Sequence, residues 1–410
     1  MLSAVRTAAE RLSFAIASKI APDKLHGPVA NVYRRDWSSP QRALLVYRTL
    51  PFRLKPGHTY FRYHQSMRQS LLIGRVLDEL GFLVDVVDYT SPWPVPSERY
   101  NLVISHDFSL NPSAEHWKDA IRVYLASGTE HRLHNIRQRE RLEAFTQRRG
   151  YHTVELRWDS EEMPWTDQAH AIFCFGNESI ADTWRHRFSC PVFAFANTAF
   201  PGLECASRDW ALARKHFLFL GSGQQLAKGL DLLLEAFDAT PDLHLYVCGH
   251  YLRDRAFCQA YADQLFNRPN IHSVGWIDLT SRSARRLASN CAFTVSATCA
   301  EGSPGSLTNA MRWGLIPLIS DYAGVDQEPG IPTLGKAGVC EILQAVVSAS
   351  NLPAAYLKSL SAETVARAED RFSENTFMST WKRMLTQSIT LQGGIPNNPE
   401  QPRADRSNST

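Results

Sequence analysis

Long hydrophobic runs are missing from this 410-residue chain. No stretch approaches the roughly 20 apolar residues that cross a bilayer, so no spanning helix is expected. A dominant charge is missing as well: 44 Lys and Arg stand against 41 Asp and Glu, a formal net charge of +3, and the basic residues are dispersed. That balance argues against nucleic acid as a partner. The eight cysteines form no CxxC and no His/Cys cluster at zinc spacing, and several sit in apolar runs. A free thiol there packs as a small hydrophobe, which fits a reducing compartment and an expected cytoplasmic location. Neither half holds GxGxxG with an acid about 20 residues on, and no GxxxxGK[ST] occurs. A nicotinamide oxidoreductase and a Walker-type NTPase are therefore disfavoured.

What is present is ordinary globular composition, 44% hydrophobic and 21% charged, at a length that exceeds one hydrophobic core. Two domains are the default expectation. At the N-terminus, Leu2, Val5, Ala9, Leu12, Ile16 and Ile20 recur at helical spacing, with Arg6, Arg11 and Lys19 off that face. The pattern fits a surface helix docked on the first domain, an interfacial membrane helix giving peripheral contact at the inner face of a membrane, or a mitochondrial-type presequence. The final "LQGGIPNNPEQPRADRSNST" has the composition of a disordered tail.

Between these ends strands and helices alternate. "RALLVYRTL" reads as a buried strand, followed by a Pro/Gly/His-rich loop, a helix "SMRQSLLIGRVLDELG" and a strand "FLVDVVDY". "YNLVISHD", "AIRVYLASGT", "QAHAIFCFG" and "PVFAFAN" continue the strands, with "NESIADTWRHRF" as a helix between the last two. The pattern restarts at "HFLFLG" and runs through "KGLDLLLEAFDAT", "LHLYVCG", "YLRDRAFCQAYADQLF", "NIHSVGW", "SRSARRLASN", "AFTVSA", "SLTNAMRWG" and "IPLIS". Such alternation implies parallel sheets with helices on both faces, and ligands in such folds bind beyond the carboxyl ends of the strands.

Two loops after strands carry chemistry. "GSGQQLAKG" (221–229) places Lys228 before a helix start, where an ammonium and unpaired N–H groups suit phosphate oxygens. "CAEGSPGSLTNAMRWG" (299–314) places Glu301 before a second helix start, among glycines that would let backbone approach a ligand. A cation at one anion-suited helix start and an acid at the other suggest a ligand with both phosphate and hydroxyls, as in a nucleotide sugar.

"FLFLGSGQQLAKGLDLLLEAF", "LHLYVCG", "NIHSVGW" and "VSATCAEGSPGSLTNAMRWGLIPLISDYAG" resemble, in order and spacing, the donor domain of GT-B glycosyltransferases, specifically the retaining family-four (group 1) enzymes. The resemblance is specific over about residues 213–330 and topological over the first 200, apart from "YLASGTEH". It implies an α/β GT-B fold of two Rossmann-like domains facing a cleft. The expected division is 1–40 as amphipathic helix and lead-in, 41–200 as acceptor-side domain, 201–212 as linker and 213–350 as donor domain. Residues 351–388 would be terminal helices, the last crossing back to the first domain, and 389–410 a disordered tail.

The resemblance further implies that Lys228 holds the donor diphosphate, that Glu301 contacts the donor sugar, and that the N–H groups of Ser306 and Leu307 meet the phosphates. Gly221, Ser222, Trp276, Gly302, Gly305 and Asn309 complete the expected donor side. His131 is the expected catalytic residue of the first domain; Gly57, His58, Tyr60, His64 and His106 are the acceptor-side candidates. Ser222 stands where the family usually has Arg, and Asn309 where its E-x7-E pattern has the second glutamate. The chain has no D-x-D, and Glu130, His131 and His134 have no further ligand at convincing spacing, so no metal or other cofactor is expected. The implied activity is sugar transfer from a nucleotide-diphosphate sugar to a glycan, lipid-linked or other hydroxyl acceptor. A non-catalytic homologue that binds nucleotide sugar or a partner glycosyltransferase, and a nucleotide-sugar epimerase, remain as rival readings.

Overall fold

The computed structural model describes residues 26–35, 41–62, 64–90, 97–151, 156–204 and 207–394. The N-terminal amphipathic segment and the tail beyond residue 394 lie outside the described residues. Two parallel sheets organise the chain. The first consists of β1 (Gln41–Tyr47), β2 (Phe82–Asp88), β3 (Leu102–Ser105), β4 (Ile121–Ala126), β5 (Ala171–Phe175) and β6 (Val192–Phe195), in the order β2-β1-β3-β4-β5-β6. The second consists of β7 (His216–Leu220), β8 (His244–Cys248), β9 (Ile271–Gly275), β10 (Phe293–Ser296) and β11 (Ile316–Ile319), in the order β11-β10-β7-β8-β9. Strands such as β2 and β5 are buried along their whole length, as strands covered on both faces must be. In both sheets every strand pair is parallel, so all chain exits from one sheet lie at one end.

The main helices are α1 (Gln65–Glu79), α2 (His131–Arg149), α3 (Glu178–Arg185), α4 (Leu230–Asp238), α5 (Arg282–Asn290), α6 (Gly305–Arg312), α7 (Val339–Ser350), α8 (Ala354–Arg371) and α9 (Glu374–Leu391). Helix α9 presents Phe377, Trp381, Met384 and Leu385 at helical spacing to the core of the first sheet. Trp381 lies edge-on to Phe173 and Phe195 at ring distances of 5.2 and 5.3 Å. Burying side chains of this size stabilises by about 1.5–3 kcal/mol each, which fastens the end of the chain to its beginning. The helix extends to Leu391, past the expected start of the tail.

Two elements differ from the sequence reading. The stretch read as one helix over 251–266 is three short pieces, Tyr251–Arg253, Arg255–Ala260 and Ala262–Phe266, because Asp254 caps a new start by accepting from the Phe257 N–H. Helix α2 falls where the sequence reading assigned no element. Its buried face is His131, His134, Asn135, Gln138, Arg141 and Phe145, a polar stripe at helical spacing that a search for apolar periodicity passes over. The helix belongs to the first domain by position, yet Phe145 is part of the core of the second. Arg148 pairs with Asp231 at 2.5 Å and Glu235 at 3.1 Å on α4, Arg149 reaches Glu235 at 3.3 Å, and Arg141 donates to the Ala297 carbonyl at 3.2 Å. Among the described residues no helix is long and apolar enough to cross a membrane.

Candidate active site

The carboxyl ends of the two sheets face each other across two adjoining hollows, each of about 300 Å³. One is lined in part by loops that follow first-sheet strands: Arg48 after β1, Tyr89 after β2, His106 after β3, Ser127 to Thr129 after β4 and Asn197 after β6. The other lies over the second sheet, with Gly221 and Ser222 after β7, Gly249 and His250 after β8, and Trp276 after β9. Lys228, Glu301, His64, Gln65, Pro304 and Gly305 line both.

Lys228 and Glu301 meet at that junction. The ammonium lies 2.5 Å from the carboxylate, and both side chains keep some exposure, 20% and 27%. Burial pushes the Glu301 carboxyl up, but Lys228 and then Arg157 and His134 outweigh it and hold the group below its ordinary value. It is an anion in a predominantly cationic setting. Lys228 is aimed by the turn before α4, where Gly229 has φ of +74° and an added Cβ would stand 2.1 Å from the Ala297 carbonyl oxygen. Only glycine fits both demands.

The Glu301 loop is fixed differently. The Thr129 hydroxyl donates to the Glu301 carbonyl at 3.1 Å; the Asn197 N–H donates to the Ser303 hydroxyl, and its amide to the Ser303 carbonyl, each at 3.0 Å. Asn197 in turn accepts from Gln69, which accepts from the Tyr47 hydroxyl, so a polar chain runs from β1 to the loop. A Cβ on Gly302 would stand 2.4 and 2.5 Å from the carbonyl oxygens of Ser127 and Phe175, and one on Gly305 would meet the Gln65 side chain. These glycines thus admit the opposite domain, where the sequence reading had them admit a ligand.

The candidate residues distribute unevenly. Lys228, Glu301, Gly302, Gly305, Ser306, Gly221, Ser222, Trp276, His64 and His106 line the hollows. Trp276 is 43% exposed and stacks on His250 with ring planes 12° apart, a flat platform at the far end of the second hollow. The His106 Nδ1 lies 2.7 Å from the Leu125 carbonyl, which can only accept, so Nδ1 carries the proton. Burial, with Arg48 and Arg157 adding to it, pushes His106 down to about 4. His64 caps α1, and desolvation followed by Arg48 and Lys228 lowers it as well.

Four expectations require correction. His131 faces away from the cleft: its ring packs against Phe108 and Trp184, and Nδ1 sits 2.7 Å from the Ser160 carbonyl. One helical turn on, His134 lines the cleft instead. Gly57, His58 and Tyr60 do not line either hollow; His58 and Tyr60 stack on each other, and Tyr60 packs on the Leu50, Phe61 and Met67 cluster. The Leu307 N–H turns back to the Pro304 carbonyl at 3.1 Å and its side chain is buried, whereas Gly305 and Ser306 of the same uncapped first turn do line the second hollow. Asn309 lines that hollow too, but it is fully buried: its carbonyl accepts from the Phe200 N–H and its amide donates to the Gly305 carbonyl, each at 2.7 Å. It fixes the start of α6 to the segment joining the domains.

Sequence reasoning missed Arg48, Arg62, Gln65 and Arg157 and weighed His134 only as a metal ligand; all five also line the hollows. Arg48 and Gln65 stand just past a strand end and at a helix start, and that placement is the signal that could have found them. Among the described residues no group of three or more His, Cys, Asp or Glu is arranged to hold a metal ion.

Comparison with known proteins bears on the fold and on the second half of the chain. Residues 207–328 match the family described as Glycosyl transferases group 1. No curated protein matches the chain. Sucrose-phosphate synthase from Thermosynechococcus elongatus is similar in fold, with a TM-score of 0.59 and 13% identity over 86% of this chain and 99% of that one. Anabaena HepE in complex with UDP-glucose is similar at a TM-score of 0.53 and 12% identity, over 84% of this chain and 99% of that one. The protein thus has the two-domain GT-B fold, and its residues 207–328 match the domain of group 1 glycosyltransferases, an enzyme class.

Proposed function

We propose that the protein transfers a sugar from a nucleotide-diphosphate sugar to a hydroxyl acceptor, with retention of anomeric configuration and without a metal ion. The observation that carries this reading is the Lys228–Glu301 pair at the junction of the two hollows. The nucleoside lies over the second sheet with its base near Trp276, and the diphosphate enters between Lys228 and the first turn of α6. Departure of the nucleoside diphosphate loads negative charge on phosphate oxygens and positive character on the sugar. Lys228 and the helix N–H groups stabilise the first; the Glu301 carboxylate, released from Lys228 by the incoming phosphate, accepts from sugar hydroxyls and favours the second. The acceptor approaches from the first-sheet hollow. The resemblance to family-four enzymes supports retention.

A thermal-shift screen against nucleoside diphosphates and their sugars tests the donor site. Ligand at 100 times its dissociation constant stabilises by roughly 2.7 kcal/mol, and absence of any shift across the series sinks the proposal. Transfer should persist in excess EDTA; loss that added magnesium or manganese restores would remove the metal-free mechanism. Asn309, buried and bonded to two backbone groups, favours a second reading, a binding homologue without turnover. Product formation with any acceptor eliminates it, and sugar conversion without an acceptor would point to an epimerase.

A further inference from the structure

We propose that the acceptor is an anion, a molecule carrying phosphate or carboxylate, seated in the first-sheet hollow by Arg48 and Arg157; this rests on the transferase reading above. Both arginines line that hollow and neither lines the second one. They are held from behind rather than consumed. Arg48 is 31% exposed, rests on Asp88 at 3.4 Å and the Tyr89 hydroxyl at 3.0 Å, and stacks over the Tyr89 ring. Arg157 is 49% exposed and rests on Asp159 at 3.0 Å. An arginine fixed through part of its fork keeps other N–H donors for a second oxyanion. Neither Asp88 nor Asp159 lines the hollow, and Glu301, already paired with Lys228, is the carboxylate among its described lining residues.

The two cations act on the same space from opposite sides of the chain's order, Arg48 after β1 and Arg157 after α2. Burial, with both arginines adding to it, lowers His106, and burial followed by Arg48 and Lys228 lowers His64. The histidines in this hollow are therefore neutral and suited to hydroxyls, while the arginines supply the charge. A neutral sugar would leave two partly desolvated guanidinium groups facing it without an anion. A phosphorylated or carboxylated acceptor meets them with charge-assisted hydrogen bonds and places its hydroxyls toward His64, His106 and the sugar end of the donor.

The test uses the full chain saturated with whichever nucleoside diphosphate binds best, titrated calorimetrically with glucose, glucose 6-phosphate and glucuronate. At least one anion should bind about ten-fold more tightly than glucose, and the preference should shrink as salt rises from about 50 to 300 mM. The phosphate and carboxylate arms distinguish the two chemistries. Arg157→Gln, at a half-exposed site with little risk to folding, should weaken that anion about three- to ten-fold and leave nucleoside diphosphate affinity within two-fold. Arg48→Gln should do the same and Arg48→Lys should restore most of the loss. Glucose binding as well as both anions overturns the proposal, as does failure of both anions to bind. Equal weakening of nucleoside diphosphate and anion in the variants also overturns it, because the arginines would then belong to the donor. If no nucleoside diphosphate binds at all, the transferase reading fails on its own, and the same titrations on the free protein still decide whether the hollow selects anions.

Discussion

The two loops that meet at Lys228 and Glu301 are held in place by different halves of the molecule. The lysine loop is fastened within its own domain: Gly229 lies on the Ala297 carbonyl, and the Ala227 carbonyl accepts from the Cys299 N–H at 2.9 Å and the Thr298 hydroxyl at 3.2 Å. The glutamate loop is fastened largely by the other domain, through Thr129, Asn197, Gln65 and the carbonyls that crowd Gly302. A cation set by its own sheet keeps its place however the domains stand. An acid set by the opposite sheet keeps its place only when they are together. On the proposed function, phosphate binding and sugar holding are therefore separable, and the second depends on the two domains standing together.

Substitution of the two glycines probes this difference most strongly. Gly229→Ala must accept a left-handed backbone, about 1–2 kcal/mol, and a collision with a backbone carbonyl, about 1–3 kcal/mol more. Its denaturation midpoint should drop clearly and nucleoside diphosphate binding should suffer with it; an unchanged midpoint would mean that the lysine loop is not rigidly set. The three atoms nearest to the Cβ added in Gly302→Ala all belong to the opposite domain. Overpacking of about 1–3 kcal/mol should lower turnover by up to about a hundred-fold while nucleoside diphosphate affinity stays within about three-fold. A parallel fall in both quantities breaks the comparison.

The charged pair sharpens it. Lys228→Ala removes a charged hydrogen-bond donor worth roughly 1.5–3 kcal/mol and leaves Glu301 facing the phosphates, so nucleoside diphosphate affinity should fall about ten-fold to a hundred-fold. Glu301→Gln frees Lys228. Affinity for the nucleoside diphosphate should stay level or rise, while turnover falls at least about ten-fold; calorimetry beside a steady-state assay reads both. Losses of affinity in both variants would deny the pair its divided roles. The smallest effect is expected of Asn309→Ala, which leaves the buried Phe200 N–H without its acceptor and should cost about 1–2 kcal/mol of stability with nucleotide affinity within about three-fold. Strong and selective loss of nucleotide binding would return Asn309 to the ribose.

Much of the architecture is legible in the sequence because parallel strands buried on both faces read as short apolar runs, and the turns between them stand out. Lys228 and Glu301 are legible for the same reason, as charged residues in short Gly-rich turns between a strand and a helix. What is not legible depends on rotation or on distance along the chain. His131 and His134 differ by one helical turn, and only the direction of α2 decides which ring reaches the cleft. Gly302 acquires its meaning from Ser127 and Phe175, far away in sequence. Asn309 stands where the resemblance implies a ligand contact, but its shorter amide side chain finds backbone partners at 2.7 Å on both its oxygen and its nitrogen. Arg48 and Arg157 sit in unremarkable local sequence and become neighbours of one cavity only through the sheet order.

Helix α2 bears on how such a protein could be recombined. A chimera that exchanged the second half at the joining segment near residues 201–212 would carry Phe145 into a foreign core and set Arg148 and Arg149 against whatever replaced Asp231 and Glu235. The covalent seam and the physical seam do not coincide. A replacement second half would seat against this first half only with a matching change on α2, so the two halves are physically coupled rather than interchangeable modules.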